Sequence, residues 1–236
     1  MKLEGCYVKK LPVVSAALMI IVAALSGPAA AYQTGDMIFR AGAAVVDPHV
    51  GSGKLEESGN TVMTSGKATT VDVDSSTKPG LSATYMVDDN IGLELLVAAP
   101  FRHTIKTKGG LEATIGHLGE TKQLPPTLTL QYYPMGDDSK FQPYVGFGLN
   151  YTKFFSEKFK GSNKTNYKNL ELEDSWGAAL QIGADFRIDD NWSINAAAWY
   201  VDLNTKATFK GTGGEKYKID VDLDPMVYMI GVAYKL

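Results

Sequence analysis

The sequence has little cysteine, little histidine and no long apolar run after residue 25. Its single cysteine, Cys6, and its three histidines, His49, His103 and His117, are too few and too scattered for a disulfide framework or a clustered metal site. The formal net charge of −3 argues against a nucleic-acid surface. Because no later apolar run has the length of a membrane-spanning helix, the chain can cross a membrane only with strands.

Residues 1–31 have the pattern of a secretory signal peptide. Three lysines within residues 2–10 precede an apolar run over residues 11–25, and small residues at 29–31 supply an A-x-A cleavage pattern. The run is short for a helix that spans a bilayer, and an uncleaved anchor is the alternative. The sequence therefore predicts a signal peptide at 1–31 and one exported domain without a thiol at 32–236.

Eight segments of the exported domain alternate large apolar residues with small or polar ones, which is the period of a strand with two different faces. Aromatic residues, Phe101 and Trp176 among them, lie near the segment ends, as the aromatic girdles at two membrane surfaces require. Eight is the smallest common strand number of membrane barrels. The predicted strands cover residues 37–46, 81–87, 91–101, 127–133, 141–151, 176–188, 192–201 and 226–236.

The connections between these segments alternate in length. Short turns at one end and long loops at the other are typical of an outer-membrane barrel with both termini on the periplasmic side. We therefore predict an all-β fold, an eight-stranded antiparallel transmembrane β-barrel. The predicted turns are residues 88–90, 134–140 and 189–190, and the predicted loops are residues 47–80, 102–123, 155–175 and 204–224.

The rival interpretation is a soluble up-and-down barrel of the lipocalin type, which turns its apolar face inward. Alternation alone does not say which face lies outside. The polar faces of the fifth to seventh segments carry Gly, Ala, Gln, Asn and Ser with few charges, whereas a water-facing set is rich in Lys and Glu. This composition favours lipid outside and a narrow lumen inside.

Nine motifs occur in order along the exported domain, beginning at Met37 (MIFRAG), Asn90 (NIGLELL), Pro100 (PFRH), Leu124 (LPPTL), Pro143 (PYVG), Asn150 (NY), Asp174 (DSWGA), Ala198 (AWY) and Leu223 (LDP). Together they resemble the OmpW family of small outer-membrane barrels, which includes AlkL-like relatives. The resemblance implies a location in the outer membrane of a Gram-negative bacterium. One departure is Leu236, because such barrels usually end in an aromatic residue.

The resemblance also implies a hydrophobic lumen that is closed by a leucine and a tryptophan and through which small apolar molecules move. Leu96 and Trp199 match those two positions. The alternation independently places both side chains inward, out of phase with Leu95 and Tyr200. The alternative is that these two residues only fill the core of a tight barrel.

Three prolines lie near the outer ends of the third and fourth predicted strands, which form a hairpin. Pro100 lies near the end of the third strand, and Pro125 and Pro126 lie at the start of the fourth. Proline donates no hydrogen bond to a strand ladder. The sequence therefore predicts a gap at this seam, a lateral portal to the outer leaflet, unless the prolines only end the two strands.

The remaining residues predict a structural ion pair and no reaction chemistry. Arg40 and Glu94 both fall on inward positions, where a lumenal ion pair would satisfy them. No convergent catalytic or cofactor-binding set is recognisable, so we expect neither an enzyme nor a cofactor. The expected partners are small hydrophobic solutes, outer-membrane lipid and lipopolysaccharide, with no nucleic acid and a monomeric barrel.

Two functions are in contention. The first is a passive channel for small hydrophobic molecules, with lateral exit to the membrane. The second is a surface receptor or adhesion protein whose extracellular loops carry the function. The inward Leu96 and Trp199 favour the channel.

Overall fold

The structure, a computed structural model, describes residues 32–135 and 139–236, so the predicted signal peptide at 1–31 lies outside the described residues. Nearly all of its regular elements are strands. In chain order the elements are β1 (Met37–Asp47), β2 (Gly51–Ser52), β3 (Glu56–Glu57), β4 (Asn60–Thr61), β5 (Met63–Thr64), β6 (Lys67–Val73), β7 (Ser76–Asp88), β8 (Ile91–Ala98), β9 (Phe101–Gly109), α1 (Glu112–Ile115), β10 (His117–Leu124), β11 (Thr127–Tyr132), β12 (Phe141–Phe159), α2 (Asn163–Asn166), β13 (Tyr167–Leu172), β14 (Ser175–Arg187), β15 (Trp192–Val201), β16 (Asn204–Gly211), β17 (Lys216–Asp222) and β18 (Met226–Lys235).

Eight of these strands close into an antiparallel barrel. The order around the wall is β11, β8, β7, β1, β18, β15, β14 and β12, and pairing of β12 with β11 closes the circle. The first and last strands are neighbours, with Ile38 opposite Lys235. The predicted fold class is therefore confirmed, and each barrel strand contains most of its predicted segment.

The barrel wall carries its large apolar side chains on the outside. Phe147, Ile182 and Ile230 are 62%, 64% and 65% exposed, and the outward-facing Trp176 is 72% exposed. A face of this kind requires lipid, so the lipocalin-type interpretation is wrong. The prediction that Phe101 belongs to an aromatic girdle is wrong, because its side chain is buried and points into the lumen.

The long connections are not the irregular loops that the sequence predicted. β12 has 19 residues, which at ~3.3 Å per residue extends about 60 Å, whereas an apolar band is only ~25 Å tall. The hairpin of β9 and β10 lies between β6 and β12, and the hairpin of β16 and β17 is flanked by β13 and β3. These strands extend the wall well beyond the membrane on the side opposite the short turns.

Both chain ends of the described domain lie at the end of the barrel that carries the short turns. The turn over residues 88–90 joins β7 to β8, and the turn after Arg187 joins β14 to β15. The predicted turn at 134–140 is only partly within the described residues. Among the described residues, no helix has both the length and the apolar character needed to span a membrane.

We expect the folded barrel to migrate faster in detergent gels unheated than boiled. A closed sheet has no free edge at which detergent can start to separate the strands. The measurement is gel mobility before and after boiling. A single mobility in both samples would contradict the closed barrel.

Candidate functional site

The lower lumen, towards the short turns, contains the predicted ion pair and a stronger one. Arg40 Nη1 lies 3.5 Å from Glu94 Oε1, and both side chains are fully buried. Arg40 also contacts Asp185 in a bidentate manner, with Nη2–Oδ2 at 2.6 Å and Nε–Oδ1 at 3.2 Å. The sequence reasoning missed Asp185 as a partner, although its position in β14 places it on the inward face.

Neutral side chains complete the hydrogen bonding of the two carboxylates. Gln181 Nε2 donates to Glu94 Oε2 at 2.8 Å, Asn195 Nδ2 donates to Asp185 Oδ1 at 2.8 Å, and the Tyr32 hydroxyl donates to Asp185 Oδ2 at 2.8 Å. These donors stabilise two carboxylates that share one guanidinium. The polar network fills the lower lumen and offers no path to an apolar molecule.

Leu96 and Trp199 lie directly above this network, and both point inward as predicted. Leu96 follows Glu94 by two residues in β8, and Trp199 is opposite Gln181 in the pairing of β14 with β15. Their exposures are 6% and 1%. Trp199 Nε1 has no hydrogen-bond partner among the described residues, and an unpaired buried donor costs ~1–3 kcal/mol.

A lower chamber of about 20 Å³ lies above these two residues. Its lining is mostly apolar, and Leu96 and Trp199 form its floor. The other lining residues are Ala44, Val46, Ala98, Phe101, Gln123, Pro125, Thr127, Asn150, Val201, Leu203, Pro225 and Val227.

An upper chamber of about 30 Å³ lies in the extracellular extension of the wall. Val46, Gln123, Leu203 and Pro225 line both chambers, so the two are stacked. One water needs ~10–15 Å³, so in this conformation each chamber holds only about one to three waters. An apolar molecule can therefore pass only when side chains move.

His103 contributes a polar group to the apolar upper chamber. Its ring is buried, and Nδ1 lies 2.7 Å from the carbonyl oxygen of Asp74. Because a carbonyl only accepts, Nδ1 carries the hydrogen. The neighbouring Arg102 is exposed on the outside, which places this level above the lipid. Burial lowers the pKa of His103, so the ring is neutral at neutral pH.

The wall is interrupted at the seam of the three prolines. The pairing of β8 with β11 ends at Leu96 and Thr127, and the pairing of β9 with β10 begins at Phe101 and Gln123. Residues 97–100 and 124–126 lie between these two ladders. The seam therefore contains Pro100, Pro125 and Pro126.

Hydrogen bonds turn the edges of the seam away from each other. The Asn150 side-chain amide donates to the carbonyl oxygens of Pro125 and Pro126, each at 3.3 Å, and the Ala99 N–H donates to the Pro79 carbonyl at 3.1 Å. One edge is thus held by β12 and the other by β7. Residues of both edges, Ala98 and Pro125, line the lower chamber.

Within residues 32–135 and 139–236, no group of three or more His, Cys, Asp or Glu side chains is placed to hold a metal ion. The buried carboxylates contact the Arg40 guanidinium and amide or hydroxyl donors. This arrangement is that of a structural plug.

The sequence model of the OmpW family matches residues 33–236 of this chain. Outer membrane protein W of Vibrio cholerae is 42% identical over 219 residues, which cover 92% of this chain and 96% of that protein. The crystal structure of the outer membrane protein OprG from Pseudomonas aeruginosa is 44% identical, with a TM-score of 0.80, and covers 87% of this chain and 98% of that one. A more distant relative is outer membrane protein AlkL of Ectopseudomonas oleovorans, 26% identical over 151 residues, which cover 64% of this chain and 62% of that protein.

These relatives are outer-membrane barrel proteins, not enzymes. Together with the apolar outer face of the wall, they place the chain in the outer membrane of a Gram-negative bacterium, in contact with membrane lipid. The chain belongs to the OmpW family.

Proposed function

We propose that this barrel is a passive channel for small hydrophobic molecules. The observation that carries the proposal is the pair of stacked chambers, which are lined mainly by apolar side chains and end on Leu96 and Trp199 above a polar plug. Burial of apolar surface in such chambers favours a hydrophobic solute over water and ions. A receptor or adhesion barrel that used only its loops would have no need for an apolar interior above a polar one.

The solute enters from the extracellular side and leaves through the wall. The straight path to the periplasm leads through the charged network around Arg40 and Asp185, where an apolar molecule would displace satisfied hydrogen bonds. The seam at Pro100, Pro125 and Pro126 borders the lower chamber and faces the membrane. Lateral exit there keeps the solute in apolar surroundings throughout, and backbone that lines a cavity is tolerated at this depth.

Leu96 and Trp199 act as the lumen gate in this proposal. They close the lower chamber from below, beside the seam, so a solute that descends from the upper chamber meets them before it turns outward. Outer-membrane lipid receives the solute, and lipopolysaccharide surrounds the extracellular extension. A monomeric barrel suffices, because each barrel contains its own chamber and seam.

Restoring hydrogen-bond donors at the seam is expected to slow uptake. The triple variant with Pro100→Thr, Pro125→Thr and Pro126→Val allows the ladders of β8 with β11 and of β9 with β10 to join across residues 97–100 and 124–126. The measurement is uptake of an apolar dye by vesicles whose outer leaflet contains lipopolysaccharide.

A matched control is Pro143→Thr, in the pairing of β12 with β14 near the short-turn end of the barrel and two strand pairs away from the seam. This control should leave uptake unchanged. Both proteins must show the mobility change on boiling that marks a folded barrel. Wild-type uptake by the folded triple variant would reject the portal at this seam.

A further inference from the structure

Two buried polar atoms border the apolar chambers without a partner among the described residues. One is Nε2 of His103, in the upper chamber, and the other is Nε1 of Trp199, at the floor of the lower chamber. Their residues are 2% and 1% exposed. Buried polar groups in proteins are nearly always hydrogen-bonded, so two exceptions along one path require an explanation.

The hydrogen-bonding role of His103 follows from its surroundings. Asp74 fixes the ring through Nδ1–H, so the opposite nitrogen, Nε2, presents a lone pair and no hydrogen. Such an atom accepts a hydrogen bond from an O–H or N–H group. A hydrocarbon has no O–H or N–H group with which to donate such a hydrogen bond.

Trp199 has the opposite role, because an indole nitrogen can only donate. Of the residues that line the lower chamber with it, Leu96, Val201 and Val227 have no polar side-chain atom, and the polar Asn150 and Thr127 hydrogen-bond each other at 2.8 Å. An oxygen atom on a bound molecule can accept this hydrogen bond. A hydroxyl group can serve both positions, since it donates to His103 and accepts from Trp199.

We propose that the preferred solutes of this channel are apolar molecules that carry a hydroxyl group, such as medium-chain or aromatic alcohols. The hydroxyl donates to His103 Nε2 in the upper chamber and accepts from Trp199 Nε1–H after the molecule descends. This inference rests on the proposed function and narrows its substrate class. It assigns to His103 a specificity role that the sequence motifs did not reveal.

Three probes of nearly equal size test the inference. 1-Octanol both donates and accepts, its isomer 1-methoxyheptane only accepts, and n-nonane does neither. The wild-type barrel is ¹⁵N-labelled at histidine and tryptophan in lipid nanodiscs, and each probe is added at equal mole fraction in the membrane. His103→Phe and Trp199→Phe assign the two signals and remove one polar atom each.

Octanol should shift the His103 Nε2 signal upfield, while the ether and nonane should not. The Trp199 Nε1–H signal should move with octanol and with the ether, but not with nonane. Octanol should bind about tenfold more tightly than nonane to the wild-type barrel, and His103→Phe should remove most of this preference. His49→Phe alters an exposed histidine and should leave the preference unchanged.

Equal binding of octanol and nonane, with the His103 signal unmoved by either, would overturn the inference and leave the hydrophobic channel intact. Failure of all three probes to bind in the lumen would overturn both. The wild-type spectra decide the question even if a variant fails to fold.

Discussion

Replacement of both Leu96 and Trp199 by alanine is expected to raise apolar-solute uptake several-fold. The two side chains form the floor of the lower chamber beside the seam, and their removal widens the space in which, on the proposed route, a solute turns outward. Ion conductance should rise less, because the network of Arg40, Glu94 and Asp185 still fills the lumen below. Dye uptake by vesicles and planar-bilayer recordings measure the two effects.

The matched control replaces Leu95 and Tyr200 by alanine; they are the lipid-facing neighbours of Leu96 and Trp199 on β8 and β15. They are 47% and 41% exposed on the outer face, so their removal changes the wall without widening the lumen. Loss of buried Leu and Trp side chains typically costs about 2–5 kcal/mol each, and the mobility change on boiling must show that the double variant still folds. Equal uptake by both double variants would show that Leu96 and Trp199 do not form a gate and only fill the core of the barrel.

Arg40→Ala is expected to cause the largest loss of stability of any single substitution in the lower lumen. It leaves the buried carboxylates of Glu94 and Asp185 without their cation, and breaking a buried ion pair on one side costs about 3–5 kcal/mol. The free energy of unfolding from urea titration in lipid vesicles measures the effect.

The comparison is Lys106→Ala, which removes an ion pair with Asp74 at 2.7 Å on the extracellular extension. The side chains of Lys106 and Asp74 are both partly exposed, and ion pairs of this kind contribute roughly 0–1 kcal/mol to the free energy of unfolding. Equal losses for the two variants would mean that water reaches Arg40 and that the lower lumen is not a closed plug.

The sequence was sufficient to predict the membrane-spanning wall because lipid outside and a filled lumen inside impose a strict alternation of large apolar residues with small or polar ones. In β18 and β14 that alternation runs without interruption, so strand position and side-chain direction could both be predicted. Leu96 and Trp199 were placed inward on the same basis. The strand predictions came close to the observed bounds wherever one face contacts lipid.

The extracellular extension was not predicted because its strands have water outside rather than lipid. In β16 and β17 the outer positions carry residues such as Lys206, Lys218 and Asp220, and the inner face has only short apolar runs that include Phe209 and Ile219. Such segments resemble polar loops when they are scanned for membrane strands. For the same reason, the upper chamber inside this extension was not predicted.

The ion-pair partner of a lumenal side chain was harder to predict than the side of the barrel wall on which that residue lies. Parity placed Arg40 and Glu94 inside, but the choice of Asp185 as the closer partner depends on the stagger between β1 and β14, which are not adjacent in the wall. His103 and Phe101 were missed as lumenal residues because they follow Pro100, where β8 gives way to β9.

The most direct test of the channel is to locate a hydrocarbon in the barrel by NMR. The chain is deuterated except for Leu and Val methyl groups, placed in nanodiscs of deuterated lipid, and exposed to protonated n-nonane. We predict nuclear Overhauser contacts from nonane to the inward methyl groups of Leu96, Val46, Leu203 and Val227, in addition to the contacts that any dissolved hydrocarbon makes with lipid-facing methyl groups. Contacts confined to outward residues such as Leu95 and Val145 would show that the lumen stays empty and would contradict the channel.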